Sequence, residues 1–236
     1  EIRRENYIHY HCRHLEGINF NELNKKTART GNYECFLPTI TKKIEYKGSF
    51  LTHDFIQAQK ISSKPIKITI PGPLTISDTI YNEYYNSNET LGQDLAKAIN
   101  IEIKNLEKAG CKHIQIDEPL FARKPDDALL YGIENLEKCF EGLENSKIEK
   151  ITHICCGYPD KLDAINYPKA PIESYNKISI RLDESILDTI SIEDAHRYND
   201  LKLLESFKKK NIIIGLIKIA TSVEETIEEV ATRVKI

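Results

Sequence analysis

Three short segments of this chain share one grammar: isoleucine alternates with polar residues, and each segment ends on groups that bind protons or metals. They are Cys111-Lys112-His113-Ile114-Gln115-Ile116-Asp117-Glu118-Pro119, Lys150-Ile151-Thr152-His153-Ile154-Cys155-Cys156-Gly157 and Thr189-Ile190-Ser191-Ile192-Glu193-Asp194-Ala195. Alternation with a period of two predicts strands, because successive side chains of a strand point to opposite faces. Parity puts Ile114 and Ile116 on one face and Gln115 and Asp117 on the other. It opposes Ile190 and Ile192 to Ser191 and Glu193, and sets His153 and Cys155 together against Ile154. Strands with one oily and one functional face fit a parallel barrel wrapped by helices. The isoleucines then lie under the helices, and chemistry collects where the strands end.

The intervening stretches read as helices. Leu91, Leu95, Ile99, Ile103 and Leu106 recur at helical spacing until Gly110 stops them. A second helix runs through Leu129, Leu136 and Phe140, another through Leu201, Leu204 and Phe207, and a last from Val223 to Val234. Two more strands precede Pro71-Gly72-Pro73 and cover Ile212 to Leu216. Strand and helix in alternation predict an α/β fold of the TIM (β/α)8 barrel class. Five strands are legible, fewer than a closed barrel of this class uses. The expectation is therefore a single catalytic domain over residues 1–236, incomplete at both ends and part of a longer chain. The stretch through Phe50, with His9, His11, Cys12 and His14, receives no element.

Composition bounds the rest. The chain has 236 residues, is 29% charged and 40% hydrophobic, and carries a net charge of -3. That describes one soluble domain with a real core. No clustered basic face suggests nucleic acid as a partner, and no apolar run suggests a membrane. Six irregularly spaced cysteines point to reduced thiols and a cytoplasmic location. Cys12, Cys35, Cys111 and Cys139 read as packing or surface residues. His153 and Cys155 are different, because an imidazole and a thiol converging from one strand face suit a borderline-soft cation such as zinc. Taken alone, that motif is weak and reads more simply as a buried polar residue beside a small apolar thiol.

The segments Glu1-Ile2-Arg3-Arg4-Glu5-Asn6, Pro71-Gly72-Pro73-Leu74-Thr75-Ile76, Ile116-Asp117-Glu118-Pro119, Thr152-His153-Ile154-Cys155 and Ser191-Ile192-Glu193 follow one another in a telling order. With them the chain resembles the catalytic half of cobalamin-independent methionine synthase, especially its short single-barrel relatives. The resemblance implies a catalytic Zn2+ held by His153, Cys155, Glu193 and a late cysteine without a counterpart here. Parity turns Cys156 away from that set. The resemblance further implies that Glu1 and Asp117 bind the ammonium of the substrate homocysteine, which makes Asp117 the candidate catalytic residue. Glu118 points outward and braces a neighbour or orients a ligand, and His196 is either an assistant or a loop cap. Zinc would strip the thiol of its proton and hold the sulfur for attack on a methyl carbon.

The likeness departs at Gly215-Leu216-Ile217-Lys218-Ile219-Ala220. Lys218 stands where the family has aspartate and Ala220 where it has the histidine that protonates the departing pterin. No tryptophan exists to stack on a pterin. Polyglutamyl folate is therefore not the expected methyl donor. A corrinoid protein, another methylated small molecule or a partner protein stays open as its source. Two other readings stay open beside methionine formation: a zinc-thiolate alkyltransferase for a different thiol, and a non-catalytic barrel that binds homocysteine.

Overall fold

The isoleucine-alternating segments come together as one parallel sheet. The structure is a computed structural model and describes residues 6–28, 33–157, 159, 161–164 and 167–235. Helix α1 (Tyr7–Cys12) leads into an antiparallel pair, β1 (Leu15–Ala28) and β2 (Tyr33–Tyr46). Next come α2 (Leu51–Ile61), β3 (Lys67–Pro71), α3 (Pro73–Thr79) and the two-residue β4 (Tyr81–Asn82), which lies parallel to β2. Helix α4 (Asn88–Lys108) is followed by β5 (His113–Asp117), α5 (Leu120–Arg123), α6 (Pro125–Asp127), a π turn at Ala128–Gly132 and α7 (Ile133–Lys138). The chain then alternates β6 (Glu149–Ile154), α8 (Ser174–Asp183), β7 (Thr189–Glu193), α9 (Lys202–Glu205), β8 (Asn211–Gly215) and α10 (Ile227–Lys235).

Strands β3, β5, β6, β7 and β8 form the five-stranded sheet in chain order, every neighbouring pair parallel. A doubly wound sheet reverses its order at a switch point. This one does not, which is the arrangement of a barrel wall. Ile70, Ile114, Ile116, Ile154, Ile190 and Ile192 are all buried in the core cluster, as are Leu91, Leu95, Ile99, Ile103 and Leu106 of α4. The opposite strand face is polar and internally bonded. Lys67 Nζ donates to Gln115 Oε1 (2.6 Å), and Thr189 Oγ1 to Glu149 Oε1 (2.6 Å), whose other oxygen lies 2.6 Å from His113 Nδ1.

Several expected boundaries shift. The helix predicted through Leu129, Leu136 and Phe140 runs without a break from Pro125 to Lys138, with a π turn at Ala128–Gly132, and stops short of Phe140. The last helix starts at Ile227, not Val223. Its start is a capping box, with Thr226 Oγ1 accepting from the Glu229 N–H and Glu229 Oε2 accepting from the Thr226 N–H.

Candidate metal and substrate centre

The sheet register decides what meets at the strand ends. Asp117 and His153 are direct partners on β5 and β6, and His153 is the partner of Ser191 on β7. Glu193 ends β7 beside Gly215. Each carboxylate and ring is then oriented by specific bonds. Asp117 Oδ2 accepts from the Tyr7 hydroxyl (2.5 Å) and Oδ1 from Gln115 Nε2 (2.6 Å). Each oxygen keeps a lone pair for a further donor. His153 Nδ1 lies 3.0 Å from Ser191 Oγ, which leaves Nε2 for a ligand. Burial holds its imidazole below the ordinary value, against the pull of Asp117, and the neutral ring is the form that binds metals. Glu1 lies outside the described residues.

Glu118 faces the other way, as its parity required. Its carboxylate is fully buried and caps α3, accepting from the Leu74 N–H (2.9 Å), the Thr75 N–H (2.9 Å) and Thr75 Oγ1 (2.7 Å). Burial pushes it up to about 8, while those three donors pull it down. Gly72 makes room for the cap: a Cβ there would sit 2.1 Å from Glu118 Oε1.

The thiols correct the parity argument. Strand β6 ends at Ile154, so neither Cys155 nor Cys156 stands on a strand and alternation does not govern them. The chain turns at Gly157 with φ +118°, a conformation that L side chains rarely adopt. The Gly157 N–H donates to Cys155 Sγ at 3.2 Å, and Cys156 Sγ donates to Glu193 Oε2 at 2.9 Å. Cys156, expected to point away, thus joins the centre. Its thiol is pushed up to about 12 by burial, by the bond to Glu193 and by the charges of Glu193 and Cys155, with Arg197 opposing. His196 joins too: its N–H (2.6 Å) and Nδ1 (2.9 Å) both reach Glu193 Oε1. The doublet of cysteines and the His196 three residues after Glu193 were visible in the sequence. Only the turn at Gly157 and the start of the β7 loop make them neighbours of Glu193.

The donor set fits a borderline-soft cation in kind: imidazole, thiol and carboxylate at the ends of adjacent strands. The Tyr167 hydroxyl and two nitrogens of Arg197 are buried without a hydrogen-bond partner, which is capacity for a ligand to fill. As the side chains stand, no three of the described His, Cys, Asp and Glu residues are grouped to hold an ion. The Glu193 carboxylate is engaged by Cys156 and His196 instead. A cleft of about 720 Å³ adjoins this mouth, lined by residues that include His9, Lys26, Asp78, Thr79, Arg123 and Lys124. Arg123 also packs on Gly157, where an added Cβ would lie 2.5 Å from its Nη2.

Over residues 1–236 the sequence matches the family described as "Cobalamin-independent synthase, Catalytic domain". The chain belongs to this family. A methionine synthase of Saccharolobus solfataricus is 32% identical over 238 residues, covering 100% of this chain and 65% of that protein. One of Sulfolobus acidocaldarius is 29% identical, covering 98% and 62%. The chain thus spans less than two thirds of the length of these curated relatives. The solved structure of a B12-independent methionine synthase from a Shewanella species, in complex with selenomethionine, superposes with a TM-score of 0.87. It is 33% identical and covers 98% of this chain and 67% of that one. The parallel sheet is therefore part of a TIM-barrel fold. No helix among the described residues is long and apolar enough to cross a membrane.

Proposed function

We propose that the protein containing this chain transfers a methyl group to the thiol of homocysteine, forming methionine, with zinc as cofactor. The observation that carries this reading is the register pairing of Asp117 with His153. It sets an acceptor for an ammonium beside a metal-binding imidazole, so one small molecule bearing both an amine and a thiol spans the two. His153, Cys155 and Glu193 would hold the zinc, which when bound removes the thiol proton and fixes the sulfur. The rest falls to the chain's own groups. Asp117, steadied by Tyr7 and Gln115, takes the ammonium in charge-assisted hydrogen bonds. Glu1 is proposed as a second acceptor. Ser191 orients the imidazole, and the buried walls exclude water.

The donor is proposed to enter the cleft beside Arg123. Phe36 and His9 line it together with Asp78 and Thr79, and Lys26 and Lys124 are both drawn to Asp78. Lys218 has its N–H on Glu225 Oε2 (2.6 Å) and its Nζ 3.9 Å from Glu225 Oε1. Ala220 itself carries no proton donor where the family has a histidine, and the His196 imidazole stands against it, with Nε2 3.2 Å from the Ala220 N–H. The alanine at 220 supports a donor whose leaving group departs without protonation. Six cysteines, none in a disulfide, support a reducing cytoplasm.

Metal analysis of the full-length protein, followed by calorimetry in buffers of different ionisation enthalpy, tests the reading. Bound zinc and proton release with homocysteine, and weaker binding of thiols that lack an amine, are expected. A zinc-free protein indifferent to homocysteine would contradict it.

A further inference from the structure

Glu193 is held by more than one neighbour, and the holding begins outside the ligand set. The Ala220 N–H donates to His196 Nε2 at 3.2 Å. A ring nitrogen that accepts carries no hydrogen, so the hydrogen of this imidazole sits on Nδ1. Nδ1 then donates to Glu193 Oε1 at 2.9 Å, alongside the His196 backbone N–H at 2.6 Å. Cys156 Sγ takes the other oxygen, Oε2, at 2.9 Å. The frame behind these donors is itself tied: Lys169 Nζ bonds the His196 carbonyl at 2.5 Å, and Asn199 Nδ2 bonds the Glu193 carbonyl at 2.9 Å. The His196 and Glu193 side chains are only 8% and 7% exposed.

We infer that Cys156 and His196 are positioning residues that clamp the Glu193 carboxylate, so that the second thiol at this mouth acts as a hydrogen-bond donor and not as a metal ligand. The inference rests on the zinc reading above. Three donors on two oxygens fix the torsions of a side chain that would otherwise lose rotational freedom on binding an ion. Partners of this kind outside the ligand set orient ligands and tune a metal's affinity by about 10–100-fold.

The test uses the full-length protein, with zinc affinity measured by competition against a chromophoric chelator and with cobalt substituted to read sulfur-to-metal charge transfer. His153→Ala comes first and should abolish tight zinc binding. Wild-type protein that binds no zinc, or that His153→Ala leaves unchanged, would sink the zinc reading and this inference with it. With the site so located, Cys156→Ala and His196→Ala should each weaken zinc by about 10–100-fold. Cys156→Ser, which keeps a donor but no thiolate, should recover near wild-type affinity with an unchanged charge-transfer band. Wild-type affinity in Cys156→Ala would overturn the clamp. A Cys156→Ser band that loses as much intensity as that of Cys155→Ser would make Cys156 a ligand and overturn it equally.

Discussion

Asp117 and Glu118 are adjacent carboxylates with opposite fates, and the strand alone separates them. Asp117 points to the mouth with a lone pair left on each oxygen, whereas Glu118 is sealed behind β5 against the start of α3. Replacing Asp117 by Asn removes the charge but keeps the size. A charge-assisted hydrogen bond is worth ~1.5–3 kcal/mol, so homocysteine affinity should fall by roughly 10–150-fold. Titration calorimetry reads this directly, and unchanged affinity in a folded variant would remove Asp117 from the substrate. For Glu118 the prediction concerns stability. Its value is raised from 4.5 to about 8 by burial first, so between those limits the folded state binds more protons than the unfolded one. The contribution is fully present below about 4.5 and lost as pH rises through about 8. Thermal melts from pH 5 to 8.5 should therefore show a decline that Glu118→Gln flattens; parallel profiles would contradict it. Gly72→Ala, which drives a methyl into this carboxylate, should cost about 2–4 kcal/mol in denaturant unfolding.

At the scale of elements, what the sequence announced was whatever follows one dominant period. Strands β3, β5, β6 and β7 and helix α4 were legible because alternating isoleucines and a leucine row at helical spacing serve a single core, whereas β8 shows as an unbroken isoleucine run before Gly215. The hairpin of β1 and β2 was not, because its register shifts between Glu16 and Ile18 and again between Asn19 and Leu23, which scrambles alternation. The site was legible in its residues and illegible in its turn. His153 and Glu193 follow strand parity, but Cys155 and Cys156 lie past the end of β6, where Gly157 sets the direction. The start of α10 stands in the sequence as Thr226-Ile227-Glu228-Glu229, a cap that the apolar spacing from Val223 does not mark. That helix buries none of its residues, and much of its attachment runs through Arg233, which bonds Asp194 (Nε to Oδ2, 2.5 Å) and the Asn199 carbonyl. Burial raises the Asp194 carboxyl, but Arg233 and Asn199 outweigh it and hold the group below its ordinary 3.8. Its stabilisation is thus present above that value and lost as pH falls below it. Arg233→Gln should expose α10 to proteolysis and hydrogen exchange at neutral pH, and acidification should do the same to the wild type. Protection of α10 equal to wild type in that variant would show that the helix is held elsewhere.

For the whole molecule, the barrel wall assembles a site that no single element contains. Strand β5 contributes Asp117, β6 ends before the two thiols, β7 carries Glu193, and the stretch after β8 reaches back through Ala220 to fix His196. Membership in the family explains the arrangement of these parts. The departures at Lys218 and Ala220, and the absence of tryptophan, bear on the proposed donor, while His153, Cys155 and Glu193 are all present. The claim on which everything depends is that a zinc ion bound by His153, Cys155 and Glu193 receives the substrate sulfur. X-ray absorption at the zinc edge of the full-length protein, with and without homocysteine, measures it most directly. The account predicts a first shell of nitrogen, oxygen and sulfur that gains one sulfur when homocysteine is added. A zinc shell with the same sulfur count before and after addition would contradict it.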